Sequence, residues 1–238
     1  DRVMSAGNSP QLISGDHPAW IATGLPRLNP LVATGSVESV MNGALATLRH
    51  LAGAAAPPSR HFVAAGAGVG GMGIAALSKG AVPEYFHRVP TLVAQMQDAA
   101  RAAGGSFGVA GMLWLQGESD MTMERGPHLA LLRRMRADLI ADAVPKGQAP
   151  PGFFTYQTIA NAQNDRHGLG VQMAQLRLAL DDPGVFMAGP VYPVPDSNNL
   201  HLTANGYRWL GSQFGKAMHR VLYLNEDWKP LHPLRALR

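Results

Sequence analysis

The chain has no cysteine among its 238 residues. Disulfides, thiolate nucleophiles and cysteine-bound zinc are thereby excluded together. Long apolar runs are also missing: none reaches the roughly 18 residues that a membrane-crossing helix requires. The nine histidines are scattered without an HExxH or similar ligand spacing, so neither a structural nor a catalytic metal is expected. Aromatic residues make up 7% of the chain. None interleaves with the basic clusters at Arg133-Arg134-Met135-Arg136 and residues 235–238, as a stacking groove for nucleic acid would need. Both clusters read as solvated faces, and no nucleic-acid partner is expected.

What is present suits one sizeable core. Hydrophobic residues are 46% of the total, charged residues 15%, and the formal net charge is +4. This composition fits a single domain over residues 1–238. The sequence opens on Asp1, without an initiator methionine or signal-peptide pattern, and so reads as a processed chain or a piece of a longer polypeptide.

Residues 1–34 carry too many Gly, Pro, Asn and Ser for regular structure beyond a short strand at residues 2–6, and form an irregular lead-in. Helical spacing of Val37, Met41, Ala44, Leu45, Leu48 and Leu51 predicts a helix over 36–51. Further helices are predicted over 91–103, 128–143, 170–180 and 203–224. Apolar runs predict strands over 61–65, 107–115, 152–159 and 185–194. Strand and helix alternate, so the predicted class is α/β, a three-layer α/β/α fold with a mostly parallel, flavodoxin-like sheet. Residues 225–238 form a tail that stops without a closing element, as though leading to another module.

Three polar clusters fall just past predicted strand ends: Gly66 to Gly73, Gln116 to Asp120, and Asp196 to His201. In a doubly wound sheet such loops share one rim and converge on one crevice. Gly66, Gly68 and Gly71 satisfy GxGxxG, but the acid expected some 20 residues on is Glu84, in a Pro-Glu-Tyr loop and not at a strand end. No dinucleotide or other cofactor is therefore expected. His201 stands at the entrance to a helix that Thr203 can cap, which would hold its ring in place. Such a histidine can serve as general base toward a hydroxyl nucleophile.

The blocks GVGGMGIAAL, WLQGESD and HLTANGYRWLG resemble, in this order, those of the SGNH (GDSL-like) hydrolases. Among these the chain is most similar to carbohydrate esterases of the sialate O-acetylesterase and acetylxylan esterase kind. Residues 28–43 and 227–231 resemble the segments that flank these blocks. The resemblance implies hydrolysis of an O-acyl group, O-acetyl foremost, from a carbohydrate through a serine ester. His201 would be the base, while a backbone N–H of Gly70 or Gly71 and the amide of Gln116 would form the oxyanion hole. Donors of this kind act by stabilising the tetrahedral oxygen. The implied partner is an acylated glycan, and the implied setting is extracellular or virion-associated, since such domains occur in secreted enzymes and phage tails.

Two departures stand out. The family's acid lies three residues before the histidine, where this chain has Asn198; Asp196 or Glu118 must then orient His201. The family's serine follows the first, central strand in a Gly-x-Ser block. Gly7-Asn8-Ser9 has that shape, yet residues 2–10 more closely resemble a segment that comes after the nucleophile. The serine is thus Ser9 or lies, with the central strand, before Asp1. Loss of that strand would leave a slot between its neighbours. Asn198 and the uncertain serine leave two further readings open: a carbohydrate-binding or adhesion module without turnover, and a structural module of a larger assembly.

Overall fold

The computed structural model describes residues 3–6, 28–30, 39–53, 62–158, 165–196, 198 and 200–232, the first two stretches as backbone only. The strands are β1 (Val3–Ala6), β2 (Leu28–Pro30), β3 (Phe62–Ala64), β4 (Gly111–Trp114), β5 (Gly152–Gln157) and β6 (Val185–Pro190). The helices are α1 (Val40–Ala52), α2 (Ile74–Leu77), α3 (Arg88–Ala102), α4 (Arg125–Ala143), α5 (Gly170–Asp181) and α6 (Ala204–Leu222).

Local chemistry explains where several elements begin and end. The Ser39 hydroxyl accepts the Met41 N–H at 3.2 Å and starts α1, four residues later than periodicity predicts. With the start moved, Val40 and Ala52 are buried and Leu51 is exposed. Helices α3 and α4 begin earlier than predicted, with Pro90 and Pro127 in their first turns, where a missing N–H leaves no bond unmade. Strand β4 begins at Gly111, opposite Gly152, rather than at 107. Ahead of it the Gln148 side chain takes the Val109 N–H at 2.9 Å and donates to the Val109 carbonyl at 2.7 Å, replacing a neighbouring strand. Strand β6 stops at Pro190, and Val191 turns back to donate to the Gln157 carbonyl at 3.0 Å.

Strand pairing follows the α/β expectation with one antiparallel exception. The order is β2-β1-β3 in one sheet and β4-β5-β6 in another. Only the β1–β2 pair is antiparallel; β1–β3, β4–β5 and β5–β6 run parallel. Side chains alternate across β5 and β6. Phe154, Tyr156 and Ala188 enter a core with α1 and α6, while Phe153, Val185 and Met187 enter a second core with α2, α4 and α5. Helices thus cover both faces, which makes three layers. No described helix is long and apolar enough to cross a membrane.

Helices α1 and α6 meet backbone to backbone. A Cβ on Gly211 would lie 2.5 Å from the Val40 carbonyl oxygen, and one on Gly215 would lie 2.5 Å from that of Ala44. Gly43 faces the Arg208 carbonyl in the same way, at 2.7 Å. Only glycine permits this approach. The helices that border the crevice are therefore joined without intervening side chains along this seam.

The two sheets do not join. Strands β3 and β4 each have one hydrogen-bonded neighbour, and a cavity of about 1960 Å³ runs between residues 62–65 and residues 109–115. Its upper end carries the polar clusters described next.

Candidate active site

The glycine block follows β3 and leads into α2. Gly71 has a left-handed φ of 74°, and Gly70 and Gly71 have no heavy atom close to where a Cβ would stand. Both line the cavity. Gly73 is different: a Cβ there would lie 2.5 Å from Asp120 Oδ1. The glycine lets a carboxylate press against the start of α2.

That carboxylate is a junction. Asp120 Oδ2 accepts the Ile74 N–H at 2.8 Å and the Gln116 Nε2–H at 2.5 Å. Gln116 Nε2 also lies 3.4 Å from the Met72 carbonyl, a longer and weaker contact. Both Gln116 and Asp120 are buried. One oxygen therefore ties the loop after β4 to the loop after β3. His128 Nδ1 lies 3.9 Å from the same oxygen, too far for a hydrogen bond. Burial lowers the His128 pKa from its ordinary value, opposed by the Asp120 charge.

Gln116 is braced from behind as well. Gln175, fully buried on α5, donates to the Gln116 carbonyl at 2.9 Å and accepts the Thr158 N–H at 2.9 Å. Gly117 passes so close that a Cβ would stand 2.8 Å from Gln175 Nε2. This packing turns the chain sharply after Gln116 and delivers Glu118 to the cavity. Glu118 Oε1 accepts hydrogen bonds from the Tyr156 hydroxyl and, at 3.0 Å, from Thr158 Oγ1. Burial, then the neighbouring Glu118 charge, pushes the Tyr156 phenol well above its ordinary value. Tyr207 is raised too, chiefly by burial.

The third cluster is a closed loop. Asp196 and Leu202 form an antiparallel bridge, and the Thr203 N–H donates to the Pro195 carbonyl at 3.0 Å. Thr203 Oγ1 accepts the Gly206 N–H at 3.1 Å and caps α6. Within the loop Asn198 Oδ1 accepts two backbone N–H groups, from His201 at 2.7 Å and Leu200 at 3.2 Å. With its oxygen so used, the Asn198 amide turns Nδ2 toward His201 Nδ1, 3.1 Å away. An N–H aimed at Nδ1 favours the tautomer with its proton on Nε2. A base acting through Nε2 needs the opposite tautomer.

Gly70, Gly71, Gln116, Glu118, Asp196 and His201 all line the one cavity; Ser9 lies outside the described residues. Sequence reasoning missed Asp120 and Gln175. Asp120 had a signal, as the last residue of WLQGESD, while Gln175 had none within its helix. Among the described residues no group of three or more His, Asp or Glu side chains could hold a metal ion.

Comparison with known proteins agrees with this geometry. A crystal structure of an Arabidopsis thaliana protein is similar to the chain with a TM-score of 0.63 at 18% identity, covering 91% of this chain and 80% of that one. At that identity the likeness establishes the fold. The C-terminal catalytic domain of Streptococcus pneumoniae peptidoglycan O-acetyltransferase A, solved with a methylsulfonyl adduct, is similar with a TM-score of 0.38 at 10% identity, covering 82% of this chain and 94% of that one. A likeness of that degree carries no argument. A search of curated protein sequences finds no match. The family model described as carbohydrate esterase, sialic acid-specific acetylesterase, matches residues 63–220. That span takes in the glycine block, Gln116 to Asp120 and the His201 loop, and the chain belongs to this family of carbohydrate esterases.

Proposed function

We propose that the chain removes O-acetyl groups from a carbohydrate through a serine ester intermediate. The observation that carries this reading is the opening of Gly70, Gly71, Gln116, Glu118, Asp196 and His201 onto one cavity, in a domain of the esterase family. A serine hydroxyl oxygen attacks the ester carbonyl carbon and its proton passes to His201 Nε2. The tetrahedral oxygen receives backbone N–H groups from Gly70 or Gly71 and the second N–H of Gln116, the one in the weak 3.4 Å contact with Met72. Collapse releases the sugar hydroxyl, which takes the proton back from His201. Water then repeats the sequence on the acyl-serine and frees acetate.

Asp196, at the foot of the His201 loop, is the first choice for the carboxylate that orients the ring, and Glu118 the second. The serine is Ser9 or stands at the end of a strand preceding Asp1. An extracellular or virion-associated setting suits a glycan substrate. The test is hydrolysis of p-nitrophenyl acetate and of an O-acetylated glycan, with His201→Ala alongside. Loss of activity in the variant is expected, and equal rates would end the reading.

One observation favours a second reading. Asn198 Nδ2 against His201 Nδ1 suits a module that holds a glycan without cleaving it. Glycan binding with no acetate release would decide for that alternative.

A further inference from the structure

Strands β3 and β4 point the same way. The loops at their carboxyl ends meet on Asp120 Oδ2, through Ile74 N–H and Gln116 Nε2, so both strands end at one rim. Their separation is about one missing strand. Neighbours in a sheet stand about 4.8 Å apart, and Gln116 reaches within 3.4 Å of the Met72 carbonyl, which two intervening strands would prevent. β1 therefore covers the far edge of β3, and β5 covers the far edge of β4. The edges that face each other border the cavity of about 1960 Å³.

The slot is apolar above and below. Val40, Leu45 and Leu210 line it from α1 and α6, and Val93, Met96 and Leu139 from α3 and α4. Two strand edges present rows of backbone donors and acceptors to this apolar space, where unpaired groups are costly. A side-chain plug or a helix would leave both rows unpaired. An extended peptide satisfies both rows and buries side chains on both faces.

We infer that the slot receives a β-strand of the same polypeptide, N-terminal to Asp1, apolar on both faces and parallel to β3 and β4. The helix layers close both faces and the half-sheets close both sides, so a strand in this position is built in as the domain folds. A source after α6 is disfavoured by the tail. Trp228 Nε1 donates to the Met187 carbonyl at 2.7 Å, which holds the tail at β6, two strands beyond β4. The inserted strand ends between Gly70–Met72 and Gln116. That is where the proposed ester hydrolysis needs its serine; this last clause rests on that reading, whereas the strand itself does not.

Hydrogen exchange read by mass spectrometry tests the inference. Amides of residues 62–65 and 111–115 are compared in residues 1–238 alone and in the polypeptide extended to its natural N-terminus. Protection should rise by about 100-fold or more in the extended form, the difference between an open and a paired strand edge. Equal protection in both forms overturns the inference. Protection of residues 1–238 alone, independent of concentration, would show residues 7–27 in the slot. Protection that grows with dimer formation would show a second copy there; either result refutes the upstream source.

Should residues 1–238 fail to fold alone, the extended polypeptide carries a second test. The chain has no cysteine, so Met112→Cys on β4 can be paired with single cysteines placed along the upstream segment. A disulfide is expected at adjacent strand positions, which meet the Cα separation such a bond requires. Failure at every position overturns the proposal. Ester hydrolysis is measured separately on the same samples. Protected edges without hydrolysis retain the strand and refute the esterase, and hydrolysis by residues 1–238 with unprotected edges does the reverse.

Discussion

Asp120→Ala puts the junction between the two loops to the test. In the folded chain Asp120 Oδ2 accepts both Ile74 N–H and Gln116 Nε2–H, in a setting where Gln116 and Asp120 are both buried. Alanine leaves two buried donors without acceptors, each at a cost of about 1–3 kcal/mol. The sum, about 2–6 kcal/mol, is a large part of the roughly 5–15 kcal/mol that holds a domain together. Asp120→Asn separates charge from shape. Its amide oxygen can replace Oδ2 for both donors, so it loses only the charge-assisted share, about 1–2 kcal/mol after relief of the buried charge. Urea denaturation should rank the proteins as wild type, Asn, then Ala. If the proposed chemistry holds, Ala also frees the Gln116 amide, and kcat for p-nitrophenyl acetate should fall by about 100-fold while KM changes little. An Ala variant within about 0.5 kcal/mol of wild type would refute the junction, since that is the scatter of ordinary surface substitutions.

Other predictions can be checked independently. Gly211→Ala places a Cβ 2.5 Å from the Val40 carbonyl oxygen; overpacking of about 1–3 kcal/mol should outweigh the roughly 1 kcal/mol gained in helix propensity, so Tm should fall. Gly126→Ala, with no atom in reach of the new Cβ, is the control and should leave Tm level or slightly higher. Asn198→Asp puts a carboxylate beside His201 Nδ1; kcat/KM should rise about 10-fold or more, and an unchanged value would mean that another carboxylate already orients the ring. Burial keeps His128 neutral in the fold by lowering its pKa from 6.5. The unfolded chain therefore binds the extra proton first, and stability present above pH 6.5 is lost as pH falls through the folded value. His128→Leu should flatten that acid limb in thermal melts recorded from pH 7.5 to 5, and an unchanged slope would remove His128 as its source.

Much of the architecture could be read from the residues. Leu132, Met135 and Leu139 mark the buried stripe of α4 by helical spacing alone, and the Phe153-Phe154 pair marks a strand covered on both faces. Boundaries were less legible because they depend on partners distant in sequence. Residues 107–110 are as apolar as β4 but bond to Gln148 instead of a strand. Helix α2 hides in a glycine-rich run, since its start is stabilised by Asp120, 46 residues away. The polar blocks themselves could be recognised as a set that shares one rim. Their wiring could not: nothing local to Gln175 announces that it braces Gln116 from another helix.

The glycine seam between α1 and α6 has a mechanical meaning for His201. The loop that carries the ring is clamped to the first turn of α6 by the Asp196–Leu202 bridge and the Thr203 cap. Along its length α6 is keyed to α1 by backbone contact at Gly43, Gly211 and Gly215, and farther along by Thr47 Oγ1 donating to Ser212 Oγ at 3.2 Å. A stem joined this way cannot slide without shearing its own backbone, so it transmits displacement instead of absorbing it. A wedge driven between the helices at Thr47 would reach the imidazole as a translation of the whole loop, and the reach of His201 across the crevice can be tuned from there.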